Sequence, residues 1–105
     1  MARIYVAHAF GGKQENVERA KKITRDLQIN DPKNCYICPL TAFSHLEYKE
    51  IGYDEEMALC FDLLQICDKL IVASELSTGV RMEIDLAKKL LNGDGEPMEV
   101  EYLEY

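Results

Sequence analysis

The fold is decided by Arg3-Ile4-Tyr5-Val6-Ala7, a run rich in β-branched and aromatic residues that Gly11-Gly12 follows closely. Such a run ahead of a glycine pair predicts a short, buried first strand that ends in a loop. From 14 to 27, apolar and small side chains recur every three or four positions, which predicts an amphipathic helix on a sheet. Asn30-Asp31-Pro32 ends that helix, and residues 35–38 predict a second short strand. These elements form a βαβ unit.

The rest of the chain continues this alternation. Residues 53–67 predict a second helix, 70–73 a third strand and 79–91 a third helix. The alternating residues 98–103 predict a half-exposed edge strand, but the segment is too short to fix its direction. Residues 40–52 have no clean period, and we interpret them as a loop that covers a ligand site.

Alternating strands and helices predict the α/β class, as a flavodoxin- or Rossmann-like three-layer α/β/α sandwich around a mainly parallel, four-stranded sheet. We expect a single domain over residues 1–105, because the sequence contains no repeat or linker. Ligands of such sheets bind beyond the carboxyl ends of the strands. The candidate ligand segments are therefore 8–12, 40–45 and 74–83.

The charge balance of the chain limits its partners. Twelve basic and 19 acidic side chains give a formal charge of −7, which repels phosphate polymers and anionic membrane surfaces. We therefore expect neither a nucleic-acid polymer nor a membrane as a partner, while a small anion can still bind at the start of a helix. The sequence has no long apolar run and no apolar segment typical of a signal peptide, so we expect a cytoplasmic protein.

Glu83 is oddly placed on the third predicted helix. At about 100° per residue, it falls within an apolar arc. The arc consists of Val80, Ile84, Ala87, Leu90 and Leu91. A carboxylate there must be paired, neutralised or turned towards a cavity. Ser77 or Thr78 can cap the helix, whose positive dipole end then favours an ionised Glu83. Helical spacing alone is also compatible with a second interpretation, in which Glu83 lies at the edge of the arc and its side chain reaches solvent or pairs with a lysine.

Three weaker candidates lie elsewhere in the chain. Glu56 falls on the apolar arc of the second helix, where it either faces a site or complements the helix dipole. His8, at the end of the first strand, can donate a hydrogen bond to a ligand or to a structural partner. Gly11-Gly12 predicts a tight turn that admits a phosphate or a sugar, without matching a dinucleotide fingerprint or a Walker loop.

The four cysteines predict neither a metal site nor a disulfide, and we expect no cofactor. Cys35 and Cys38 are three residues apart on a strand, so their side chains point to opposite faces of the sheet. Cys60 and Cys67 share one helix face, but no second pair of ligands accompanies them. In the cytoplasm they stay reduced, and we interpret them as small core residues.

Several segments, taken together, carry a family resemblance. They are residues 4–10 (Ile-Tyr-Val-Ala-His-Ala-Phe) with Gly12, Asn16 and Ala20; 38–40 (Cys-Pro-Leu); 67–72 (Cys-Asp-Lys-Leu-Ile-Val); and 77–84 (Ser-Thr-Gly-Val-Arg-Met-Glu-Ile) with Ala87. Over most of its length the chain resembles the nucleoside 2-deoxyribosyltransferase-like proteins, especially their short, uncharacterised bacterial and phage relatives. The segment 77–84 is the most specific.

The resemblance implies a reaction on a small nucleoside or nucleotide. In the enzymes of this family a glutamate attacks the anomeric carbon, and Glu83 matches it. Tyr5 matches a first-strand tyrosine close to that nucleophile, so the expected catalytic residues are Glu83 and Tyr5. Together with the topology, this predicts a set of ligand-binding residues. They are His8, Phe10, Gly11, Gly12, Ser77, Thr78, Gly79 and Glu56.

The chain departs from the family's enzymes at two positions. It has Ser77 and Cys60 where they carry aspartates that help to bind the nucleoside. Two functions therefore stay open: an N-glycosidase or deoxyribosyltransferase using Glu83, and a non-catalytic domain that binds a nucleotide or mediates interactions. Because relatives of this size assemble so that a neighbour completes the site, the resemblance also implies a homodimer or a higher homo-oligomer.

Overall fold

The βαβ unit forms where the sequence predicts it. The computed structural model describes residues 1–104 and, within them, every side chain except that of Tyr48. The first three elements are β1 (Arg3–Ala7), α1 (Gln14–Asn30) and β2 (Cys35–Ile37). Helix α1 runs three residues past its predicted end at 27, and the amide of Asp31 closes its last turn on the carbonyl of Leu27 at 3.1 Å.

The remaining predicted helices and strands also follow in the expected order, with two short helices added between β2 and the second predicted helix. The elements after β2 are α2 (Pro39–Ala42), α3 (Tyr48–Ile51), α4 (Tyr53–Gln65), β3 (Lys69–Val72), α5 (Thr78–Ala87) and β4 (Glu99–Tyr102). Helix α5 ends earlier than the predicted residue 91. After Ala87 the hydrogen bonding changes to the 3₁₀ type, because the amides of Lys89 and Leu90 donate to carbonyls only three residues back.

The prediction of an irregular loop over residues 40–52 is wrong in part, because α2 and α3 occupy much of it. Pro39 begins α2, where its fixed φ suits a first helical position and its missing N–H costs no hydrogen bond. Each helix has only four residues. That is one turn, too short for a periodic pattern to predict.

The sheet confirms the predicted α/β class. Its strand order is β2-β1-β3-β4, and every pairing is parallel. The pairing of Lys69 with Glu99 fixes the direction of β4, which the sequence left open. Because β2 and β3 flank β1 on opposite sides, the strand order reverses between β1 and β3, and a crevice opens at their carboxyl ends.

Helices cover both faces of this sheet and give it three layers. Val6 packs with Ala20 of α1 on one face, in a cluster that also includes Cys38 and Ala73. Tyr5 and Ala7 point to the other face, where α4 and α5 supply Leu64, Val80 and Ile84. Side chains alternate between faces along a strand, so Tyr5 faces α5 because Val6 faces α1. Within residues 1–104, no helix combines the length and the apolar character needed to cross a bilayer.

Candidate active site

A cavity of about 760 Å³ opens at the carboxyl ends of the strands. Its walls come from the turn after β1, from α2 and α3, from one side of α4 and from the start of α5. The volume lies within the usual range of small-molecule sites. All eight residues predicted to bind ligand line this cavity, together with Glu83, although their binding to a ligand stays a prediction.

Glu83 lines the cavity but is almost fully buried, with 5% of its surface exposed. The hydroxyl of Tyr5 donates a hydrogen bond to its Oε2 atom. Tyr5 itself has no exposed surface and does not line the cavity, so it contacts the carboxylate from the core side. The two residues meet, as the family resemblance implies, and the catalytic role expected of Tyr5 stays a prediction.

Burial controls the protonation of this pair. Burial raises the pKa of the Glu83 carboxyl to about 7, and the hydrogen bond from Tyr5 lowers that pKa in part. Burial, followed by the charge of Glu83, raises the pKa of Tyr5 well above its usual value. The phenol therefore stays protonated as a donor, while Glu83 changes its charge near neutral pH.

The start of α5 forms another wall of the cavity. Ser77 is the N-cap of the helix, and its Oγ accepts a hydrogen bond from the amide of Val80 at 3.2 Å. Thr78 and Gly79 occupy the first helical turn, where backbone N–H groups have no partner inside the helix. The Ser77 hydroxyl keeps its own hydrogen available to a ligand. This wall therefore offers donors to an anion or to a sugar oxygen.

The turn after β1 supplies the opposite rim. Gly11 and Gly12 have φ values of +59° and +73°, a left-handed backbone that glycine adopts most readily. The carbonyl of Phe10 accepts hydrogen bonds from the amide of Lys13 at 3.1 Å and from the Asn16 side chain at 2.8 Å. These bonds hold the turn against α1. The predicted tight turn thus places Phe10, Gly11 and Gly12 on the cavity wall.

His8 is buried at the end of β1, and its ring orientation is defined. Its Nδ1 atom lies 2.7 Å from the carbonyl oxygen of Ala9. A carbonyl only accepts hydrogen bonds, so Nδ1 carries the hydrogen and donates it. In the neutral ring, Nε2 is then an acceptor. The predicted donation from His8 thus goes to the backbone, and a donation to ligand requires the doubly protonated ring.

Glu56 also turns inward, as one of the two predicted interpretations requires. It lies in the first turn of α4 beside Asp54 and Glu55, both exposed, and only 9% of its own surface is exposed. Burial raises the pKa of its carboxyl. The helix dipole explains an acidic first turn, but it does not explain why one of its carboxyl groups is buried.

Cys60 lies on the cavity wall, at the position where the resemblance implies a nucleoside-binding aspartate, although its spacing on the helix favours a small core residue. It lies one helical turn after Glu56 and lines the cavity near Glu83. Burial and then the charge of Glu83 raise the pKa of the Cys60 thiol to about 12, so the group is neutral. Cys60 thus adds no negative charge beside Glu83.

The cavity also has an apolar wall. The sequence predicts that residues 40–52 cover the site, but it does not predict which individual side chains form this wall. The apolar wall includes Val17, Leu40, Phe43, Leu46 and Met57. Residues 40–46 do border the cavity, as the interpretation of a site-covering segment requires. Val17 and Met57 carry no signal in the sequence that distinguishes a cavity wall from the core. These side chains offer a surface for an aromatic or other apolar ligand group.

No metal site accompanies these groups in the part of the chain that the structure describes, where no cluster of three ligating side chains occurs. All four cysteines are free thiols. When the chain is compared with models of protein families, with curated proteins and with solved structures, none matches. The molecule is thus an α/β domain with a buried carboxyl group, whose pKa burial raises to about 7, in a ligand-sized cavity at the reversal of strand order.

Proposed function

We propose that the domain is a nucleoside or nucleotide N-glycosidase or deoxyribosyltransferase that acts through a covalent glycosyl-glutamate intermediate. The observation that carries the proposal is the Tyr5–Glu83 pair, in which a core tyrosine holds one carboxyl oxygen of a glutamate on the wall of a cavity of about 760 Å³. A carboxylate fixed in this way is suited to attack a carbon atom of a bound ligand.

In the first step, the ionised carboxylate of Glu83 attacks the anomeric carbon of the sugar. A bond forms between a carboxyl oxygen and that carbon, while the bond from the carbon to the base nitrogen breaks. The bonding electrons leave with the base, which takes up a proton from solvent. Water or a second base then attacks the same carbon and gives up a proton to solvent, and the carboxylate of Glu83 leaves. Two such displacements retain the configuration at the anomeric carbon.

Tyr5 acts through Glu83 in this proposal. Its hydroxyl donates to Oε2, which restricts the rotation of the carboxyl group and leaves the other oxygen for the attack. The same bond stabilises the ionised form, against the effect of burial. Because the pKa of Glu83 lies at about 7, a substantial fraction of the protein carries the reactive anion at neutral pH.

The cavity has a polar wall and an apolar wall, which suit a ligand with one polar and one apolar part. The start of α5, with Ser77 as its cap, suits a sugar hydroxyl or a phosphate group. Phe43, Leu46 and Met57 suit the faces and edges of a base. A nucleoside or nucleotide presents both kinds of surface.

A domain that binds the same ligand without turnover is the second candidate. It is favoured by the neutral Cys60 thiol beside Glu83, since a thiol with a pKa of about 12 is a poor proton donor for a departing base. In that case Glu83 contributes to binding alone.

Base release from a panel of nucleosides and 5′-nucleotides, followed by liquid chromatography, separates the two candidates. We expect release from at least one member, and its loss in Glu83→Gln. Asp85→Asn is the matched control, since Asp85 is exposed on the same helix. Stabilisation of the fold by a panel member without any base release would favour the binding domain.

A further inference from the structure

Two buried polar atoms near the cavity have no hydrogen-bond partner among the described residues. They are Nε2 of His8 and Oε2 of Glu56. His8 follows β1 and Glu56 lies on α4, so the two atoms belong to different layers of the fold. Both residues line the cavity of about 760 Å³, and 4% and 9% of their surfaces are exposed.

Packing alone does not account for this coincidence. The large majority of buried side-chain polar atoms in folded proteins have a partner, because an unpaired group loses its hydration without compensation. Elsewhere in the described chain, buried polar side chains are paired; Ser74 accepts from the amide of Ala9 at 2.7 Å and donates to the carbonyl of Glu75 at 2.9 Å. Both unpaired atoms instead belong to residues that line the ligand-sized cavity.

The two atoms share one hydrogen-bonding character. The hydrogen of the neutral His8 ring is committed to the carbonyl of Ala9 at 2.7 Å, which leaves a lone pair on Nε2. An ionised Glu56 has only acceptor positions. Lys49, the cation on the cavity wall, is 3.2 Å from Glu47, and 82% of its side chain is exposed. It does not supply the missing donor.

We propose that His8 Nε2 and Glu56 Oε2 form a pair of acceptor positions that selects ligands carrying hydrogen-bond donors. The donors are hydroxyl groups of a sugar or amino groups of a base. This inference rests on the proposed function in taking a nucleoside as the ligand, and it adds the feature by which one nucleoside is preferred over another. A ligand group that only accepts hydrogen bonds is disfavoured at both positions.

The first test needs no ligand. Replacing an unpaired buried acceptor by an apolar side chain of similar length removes a destabilising feature, so Glu56→Met is expected to unfold at a higher temperature than the matched Glu55→Met protein. Glu55 is exposed in the same helical turn and does not line the cavity. We expect a difference of about 4 °C or more. An equal or lower melting temperature for Glu56→Met would show that Glu56 stabilises the fold and would overturn the proposal.

The second test measures ligand selection in the Glu83→Gln protein, in which the proposed turnover is blocked. Calorimetry compares 2′-deoxyadenosine with purine 2′-deoxyriboside, which lacks the base amino group, and with 2′,3′-dideoxyadenosine, which lacks a sugar hydroxyl. We expect one analogue to bind about tenfold more weakly than 2′-deoxyadenosine, a loss typical of one unpaired group. The weaker analogue identifies the source of the donor.

Adding Glu56→Met or His8→Phe to the Glu83→Gln protein shows which of the two residues causes the preference for 2′-deoxyadenosine over the weaker analogue. We expect one of these changes to reduce the tenfold difference to about twofold or less. Equal binding of all three compounds to Glu83→Gln, or a difference that survives both changes, would overturn the inference. If the inference is overturned in this way but the wild-type protein releases base, the proposed function still holds. If the compounds bind selectively but no base is released, the inference still holds and the proposed function fails. If none of the compounds binds, the inference fails, while the proposed function is still judged by base release from the panel of nucleosides and 5′-nucleotides.

Discussion

The hydroxyl of Tyr5, on the central strand β1, donates a hydrogen bond to Oε2 of Glu83, on helix α5. Both side chains are buried, so little solvent screens this contact. The bond opposes the effect of burial on the Glu83 pKa, which is otherwise raised. The charge of the carboxyl group therefore depends on a residue 78 positions away in the sequence.

Tyr5→Phe is expected to raise the pKa of Glu83 above about 7, because it removes the donor that stabilises the anion. Carbon-13 NMR of the glutamate carboxyl groups over a pH series measures this shift without requiring activity. Tyr36→Phe is the matched control, since Tyr36 donates to a different carboxylate, that of Asp31, at 2.8 Å. A Glu83 titration that is the same in both variants would contradict the positioning role.

Glu83→Gln is expected to stabilise the fold at alkaline pH. The folded pKa of about 7 lies above the ordinary value of 4.5, so the stability that Glu83 contributes is fully present below pH 4.5 and is lost as pH rises through 7. At pH 8 the amide avoids this loss, and we expect a gain of about 3 kcal/mol over wild type.

Urea unfolding at pH 4.5 and pH 8 measures the effect, with Glu75→Gln as the same change at an exposed position. The advantage of Glu83→Gln over Glu75→Gln is expected to grow between the two pH values. An advantage that does not change with pH would mean that Glu83 titrates normally in the folded protein.

Activity is expected to follow the ionisation of the same group. Since attack requires the carboxylate, the rate of base release should fall below pH 7, about tenfold per pH unit on the acid side. Initial rates between pH 5 and 8 test this dependence. A rate that is constant down to pH 5 would exclude Glu83 as the titrating nucleophile.

Ser77→Ala is expected to cost about 1 kcal/mol of stability, because the amide of Val80 loses its cap. Ser77→Asp keeps a capping oxygen and should retain nearly all of the stability, while placing a negative charge on the cavity wall. If the ligand places a phosphate at the start of α5, this variant binds a 5′-nucleotide at least tenfold more weakly and the matching nucleoside unchanged. Calorimetry with both compounds measures the contrast, and equal losses for the two would exclude a phosphate at this wall.

Asp68→Asn is expected to destabilise the fold by about 1 kcal/mol at pH 7. The carboxylate accepts from the amides of Arg3 at 3.0 Å and Gly93 at 2.8 Å, and these bonds hold its pKa below the usual value. The stability they give is present above pH 3.8 and is lost as pH falls further. Thermal unfolding at pH 7 and pH 2.5 tests this, and a constant difference would contradict it.

The fold was predictable where a pattern extends over many residues. Helix α1 has 17 residues and a regular apolar spacing, so its position follows from the sequence. Helices α2 and α3 have one turn each and give no such pattern. The direction of β4 depends on its pairing with β3, a contact between distant segments that local sequence does not report.

The candidate site was predictable to a similar extent. Glu83 is predictable because a charged residue interrupts an apolar helical arc, and Glu56 interrupts a second arc with less contrast. The role of His8 could not be derived, because it depends on which ring nitrogen reaches the carbonyl of Ala9. The spacing of Cys60 does not distinguish a cavity wall from the core, since a small apolar residue on a helix face has the same pattern in both; only the family resemblance points to a ligand-contact position.

The most direct measurement of Glu83 as a nucleophile is the intact mass of the protein after incubation with a substrate that deglycosylates slowly, such as a 2′-fluorinated nucleoside. The expected result is a mass increase of one sugar unit, located on the peptide that contains Glu83 and absent from Glu83→Gln. Base release by the wild-type protein with no adduct, or the same adduct on Glu83→Gln, would contradict a covalent intermediate at this residue.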